Sequence, residues 1–130
     1  MRDLSRRVRF EATALRNLLL TRPFDRHAWI KSTGEKLHLR LANARPALGR
    51  EASLNELERF IACIDGFGVG FCEVWQRREV IYVETDLQCT TPSGLVHQLP
   101  CALIARTYDG LLQDLRFYLD PLPLSEARRL

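Results

Sequence analysis

Between residues 69 and 119 the chain holds strand-like runs and tight turns and little else, and this stretch limits what the remainder can fold into. Runs rich in Val, Ile, Leu, Tyr, Phe and Thr lie near 69–76, 79–90, 96–107 and 112–119. They are parted by Gln76-Arg77-Arg78, Thr91-Pro92-Ser93-Gly94 and Tyr108-Asp109-Gly110. Apolar, β-branched and aromatic runs bounded by turn residues read as strands. Asp-Gly between two of them marks a tight hairpin, because its central residues need positive φ. Links this short join antiparallel neighbours. The expectation is a four-strand meander ended by Asp120-Pro121.

Such a sheet must cover one face, and the first 64 residues supply the cover. Leu4, Val8, Ala12, Leu15 and Leu19 fall on one side of a helix over 4–20. Thr21-Arg22-Pro23 ends it, since a residue before proline avoids the α region. Asp25 is placed to cap a second helix, with Phe24 and Trp29 as its hydrophobic staple and Gly34 at its end. Leu37, Leu39 and Leu41 alternate with His38, Arg40 and Ala42, a half-buried strand. Ser53 and Glu56 fit a capping box ahead of the stripe Leu54, Leu57, Ile61 and Ile64. Asp65-Gly66-Phe67-Gly68 stops that helix. Without repeats, linkers or low-complexity segments, the 130 residues read as one domain, with a core of about 5–122 and a mobile tail over 121–130.

Nineteen basic residues are spread among sixteen acidic ones, for a net charge of +3. A nucleic-acid binder concentrates its charge on one face or helix, so no nucleic-acid partner is expected. No stretch approaches the ~20 apolar residues of a membrane-spanning helix, and the first residues lack the apolar core of a secretion signal. A cytoplasmic location with no membrane partner is the expectation. Cys63, Cys72, Cys89 and Cys101 form no C-x-x-C pair and have no histidine at ligand spacing. They read as small buried hydrophobes rather than metal ligands, and neither a metal nor an organic cofactor is expected.

The order of elements and the sequence of the second half resemble the SnoaL-like branch of the nuclear transport factor 2-like superfamily, which includes the ketosteroid isomerases and polyketide cyclases. The residues carrying the resemblance are Pro46-Ala47-Leu48-Gly49-Arg50-Glu51-Ala52, Val83-Glu84-Thr85-Asp86, Leu99-Pro100 and the run from Tyr108 to Asp120. The resemblance spans roughly residues 5–122. It implies an α+β cone-shaped roll in which N-terminal helices pack on a strongly curved, mostly antiparallel sheet that encloses a pocket. It also implies a homodimer through the convex sheet face, with Cys89, Cys101, Leu103 and Ala105 on that face beside polar neighbours such as His97. Fold alone does not select a function within such a superfamily.

Aligned on the ketosteroid isomerases, the three acid/base positions fall at Arg45, Leu15 and Ala102 and are vacant. Aligned on limonene-type epoxide hydrolases, the paired positions read Glu84 and Asp86, and Phe117 stands where a second aspartate belongs. The same alignment turns Tyr82, Glu84, Asp86 and Gln88 toward the pocket. It adds Ala102 and Ile104 from the next strand, Leu115 and Phe117 from the last, and Trp29 from the second helix. Asp86, partnered by Glu84, is then the candidate acid/base pair, because two carboxylates at i and i+2 in a poorly solvated cone cannot both ionise cheaply; the alternative is that both face solvent near the cone mouth or pair with Arg40, Arg106 or Arg116. The implied ligand is a small hydrophobic molecule. Two functions stay open: a cofactor-free cyclase, isomerase or hydrolase using carboxylate chemistry, and a non-catalytic ligand-binding or interaction domain of the same fold.

Overall fold

The computed structural model describes residues 11–127, and the side chains of 68–72 and 125–127 fall outside that description. Six strands form one curved, open sheet: β1 (Thr33–Leu41), β2 (Ala47–Leu48), β3 (Gly66–Arg77), β4 (Val80–Thr90), β5 (Val96–Tyr108) and β6 (Leu111–Tyr118), in the order β2-β1-β6-β5-β4-β3. The expected meander is β3 to β6, antiparallel throughout. β1 docks parallel to β6, which is possible because one helix and four strands separate them in sequence. Arg78 and the pair Asp109-Gly110 carry the positive φ that the tight turns require.

Helices α1 (Ala12–Leu20), α2 (Arg26–Ser32), α3 (Arg50–Ala62) and α4 (Leu122–Ala127) complete the chain. Residues 4–10 of the expected first helix lie outside the described residues. Asp25 caps α2 as expected, its carboxylate accepting from the Ala28 N–H at 3.1 Å. Phe24 and Trp29 stack at 5.9 Å, completing the staple. Arg26 reaches Asn55 at 2.9 Å and Glu58 at 3.3 Å, tying α2 to α3.

Three local expectations are corrected. Gly34 does not close α2; it lies in β1, where a β-carbon would collide with the side-chain amide of Gln113. Ser53 is not a cap. α3 starts earlier, after Gly49, and the buried Ser53 hydroxyl lies 3.1 Å from the Leu37 carbonyl and 3.2 Å from that of Ala47. It thus anchors α3 to the β1–β2 edge. The segment read as a mobile tail opens with α4, whose Leu124 is buried in the core. Asp120 holds its start by accepting from the Leu122 N–H at 3.1 Å.

The helices cover one face of the sheet. Leu15 and Leu19 of α1, Trp29 of α2, Leu54, Leu57 and Ile61 of α3 and Leu124 of α4 join one cluster with the inward residues of β1, β4, β5 and β6. Phe117 lies against Phe60 of α3 with ring centroids 4.9 Å apart. Burial of so many aliphatic and aromatic side chains is the main force holding the two layers together.

Candidate functional site

The location of any site depends on which alternate residues of β4 and β5 face the helices. Along β4, Ile81, Val83, Thr85, Leu87 and Cys89 are buried, while Tyr82 and Glu84 are exposed and Asp86 and Gln88 half-buried. Along β5, Leu99, Cys101, Leu103 and Ala105 are buried, and Pro100, Ala102 and Arg106 are exposed. Direct partners across a ladder share a face. Val83 pairs with Leu103 and Leu103 with Phe117, so these three point inward. Glu84 pairs with Ala102 and Ala102 with Tyr118, so these three point outward.

The expected pocket is therefore corrected. Of its members, Trp29, Leu115 and Phe117 are interior, each no more than 1% exposed. Tyr82, Glu84, Asp86, Gln88, Ala102 and Ile104 lie on the opposite face and cannot line the same cavity. Cys89, Cys101, Leu103 and Ala105, assigned to the convex face, are core residues. His97 pairs with Cys89 and shares the inner face, whereas His38 is exposed beside Asp114 on the outer one. The physical reason is the one-residue phase of a strand: a slip of one position sends every side chain to the other face. On β4 the apolar set is Ile81, Val83, Thr85, Leu87 and Cys89, and burying the carboxylates of the other set would cost far more. That signal was readable in the sequence.

Among the described residues the inner face carries Trp29, Leu115, Phe117 and the other buried side chains of the core cluster. Burial pushes the Cys101 thiol up to about 12, a mark of how apolar this layer is. Two polar atoms are stranded there among the described residues: the Trp29 indole Nε1 and the His97 imidazole Nε2 are buried without a hydrogen-bond partner. Among the described residues, no three His, Cys, Asp or Glu side chains are grouped to hold a metal ion.

The outer face is where the remaining chemistry collects. An open depression of about 400 Å³ has Glu84 and Asp86 on one side, Pro100 and Ala102 as its floor and Tyr118 at its far edge. Beside it the exposed aromatic side chains Trp75 and Tyr82 are direct partners, 50% and 41% exposed, and Ile104 continues their row. Arg116 follows on β6, bonded to Asp114 at 3.0 Å. That contact first, and the Tyr118 hydroxyl second, push the guanidinium pKa up from its already high value and fix its charge. Trp75, Arg106 and Tyr118 were not singled out as site residues from sequence. Their signal was position: each alternates with inward residues on a strand that the meander leaves uncovered.

No protein-family model and no curated protein sequence matches the chain. Solved structures do. A protein described as a SnoaL-like polyketide cyclase from Jannaschia sp. CCS1 superposes with a TM-score of 0.73 at 16% identity, over 88% of each chain. One described as an isomerase from Bacillus subtilis gives 0.68 at 18% identity, over 90% of this chain and 91% of that one. A ketosteroid isomerase-like fold from Catenulispora acidiphila DSM 44928, solved with trimethylamine, gives 0.64 at 16% over 82% of each. At these identities the likeness establishes the fold. The cone-shaped α+β roll of SnoaL-like, nuclear transport factor 2-like proteins is the fold of this chain.

Proposed function

We propose that this chain is a non-catalytic interaction domain of the SnoaL-like fold, working through the outer face of its sheet and pairing there with a second copy of itself. The observation that carries this reading is the division of the two faces. The inner face buries Leu, Phe and Trp side chains, and the candidate acid/base pair lies on the other side, Glu84 exposed and Asp86 half-buried. A carboxylate that moves protons on a bound molecule is enclosed with it in a pocket, and the outer face offers this pair only an open depression. The outer face, by contrast, carries Trp75, Tyr82, Ile104 and Tyr118 together, and among the described residues the helices contribute their buried side chains to the other face. Contiguous exposed aromatic and aliphatic side chains mark interaction surfaces, and a twofold pair is the simplest closed assembly. The test is sedimentation at micromolar concentration. A species of twice 15.0 kDa is expected, and Ile104→Asp should reduce it to one chain with unchanged circular dichroism. A single 15.0 kDa species for the unmodified chain would refute the proposal.

A second reading is favoured by the Trp29 indole. A buried N–H without an acceptor costs ~1–3 kcal/mol, and a small, largely apolar molecule bearing one acceptor would satisfy it. Fluorescence of Trp29 in a Trp75→Phe background would report such a ligand, by a spectral shift that is absent in Trp29→Phe.

A further inference from the structure

We infer that the outer face carries a charge code that sets the geometry of the pair: the acidic end of one copy lies on the basic end of the other, with Asp86 against Arg106 of the second copy. This rests on the pairing proposed above and adds its orientation.

Ladder partners sort the outer face into rows running across the strands. The row of Arg77, Val80, Arg106 and Asp114 is basic at its β3 and β5 positions and acidic on β6, where Asp114 is bonded to Arg116. Next comes the row of Trp75, Tyr82 and Ile104. The third is Glu73, Glu84 and Ala102, and beyond it Asp86 partners Pro100. Over β3 to β5 charge therefore changes sign along the strand direction, with the aromatic row between; on β6 Asp114 and Arg116 neutralise each other. Asp86 and Arg106 stand six residues apart along the ladder, about 20 Å, too far to meet within one copy. Among the described residues neither takes part in an ion pair.

Two sheets can meet face to face about a twofold axis in two simple ways. An axis parallel to the strands keeps every row at its own level; set along β4, it lays Glu84 and Asp86 over their own copies and Arg106 over Arg77 of the second copy. That arrangement stacks like charges. An axis perpendicular to the strands inverts the rows. Placed at the level of Val83 and Leu103, midway between Asp86 and Arg106, it brings the acidic end over the basic end twice by symmetry. The same operation sets Ile104 over Ala102, a large side chain over a small one, and Tyr118 over the guanidinium of Arg116. Charge, size and aromatic placement thus select one axis. Complementary charges across an interface fix register in this way more than they add affinity.

Charge reversal with exchange tests the pairing. Asp86→Arg sets two arginines together at both symmetric contacts, and Arg106→Asp sets two aspartates together. Each should weaken association about tenfold or more. The double variant Asp86→Arg/Arg106→Asp should restore it, and an equimolar mixture of the two single variants should form mixed pairs. Both side chains reach solvent, so the fold should be retained, and circular dichroism checks this. Association of the unmodified chain should also weaken as salt is raised, an independent readout that needs no variant. A pair that forms but is indifferent to the single reversals and to salt overturns the charge code while leaving the association intact. Single variants that weaken without rescue by the double variant also overturn it. An unmodified chain that stays single at every salt concentration overturns both.

Discussion

Replacing Phe117 with alanine separates a filled interior from an open pocket. The ring is 1% exposed, packs on Phe60 at 4.9 Å and shares its face with Leu103. If the cone is packed as described, removing the ring costs its transfer from water plus the void left behind, about 3–5 kcal/mol. That is a large part of the roughly 5–15 kcal/mol by which a domain is stable. With an unfolding entropy of ~2.1 cal/mol/K per residue, 130 residues give about 0.27 kcal/mol/K, so a 4 kcal/mol loss lowers the melting midpoint by about 15 °C. Urea titration of both proteins, with the slopes compared, gives the difference directly. A dry apolar void should also take up a small aromatic such as benzene, raising the midpoint of Phe117→Ala and not that of the unmodified chain. A loss below about 1.5 kcal/mol would mean that the ring borders an already hydrated space, and the filled-core argument against an interior catalytic site would fail.

Asp25→Ala should cost about 1 kcal/mol through loss of the cap on the Ala28 N–H, and Asp25→Asn should retain most of it; equal urea midpoints for the unmodified chain and Asp25→Ala would refute the capping role. The Cys101 thiol, raised by burial from 9.0 to about 12, gives a pH prediction. The unfolded chain releases this proton near 9 and the folded chain does not. Stability is therefore unaffected below that pH and falls as pH rises through the window up to about 12, by at most ~1.4 kcal/mol per pH unit. Urea midpoints at mildly and strongly alkaline pH should fall less in Cys101→Ala than in the unmodified chain, and equal falls would show that the thiol is not protected.

The sequence by itself determined the elements and most of their ends. The four-strand meander was legible because turn chemistry is local: Asp109-Gly110 reverses the chain through its own backbone preferences, whatever surrounds it. The cap at Asp25 and the staple of Phe24 on Trp29 were legible for the same reason, since all their partners lie within five residues. The start of α3 was misread because Ser53 carries the residue type of a cap. Its actual partners, the carbonyls of Leu37 and Ala47, are brought to it only when β1 and β2 dock on the helix. Gly34 likewise answers to Gln113, a residue on the far side of the chain that only the β1–β6 pairing places there.

Only the tertiary structure decided which face of β5 is inside. On β4 the alternation of Ile81, Val83 and Leu87 with Glu84 and Asp86 was sufficient. On β5 both alternate sets are largely uncharged, Leu99, Cys101 and Leu103 against Pro100, Ala102 and Ile104, and composition does not choose between them. Phe117 does: it is anchored on Phe60, Leu103 is its ladder partner, and Val83 is the partner of Leu103. Period two tells which residues travel together along a strand, while the direction in which they travel is set by the neighbour they must pair with and the helix they must meet. That single choice moved Asp86 and Glu84 from a proposed catalytic cone to an outer face, where they become surface charges opposite the arginines of the same sheet.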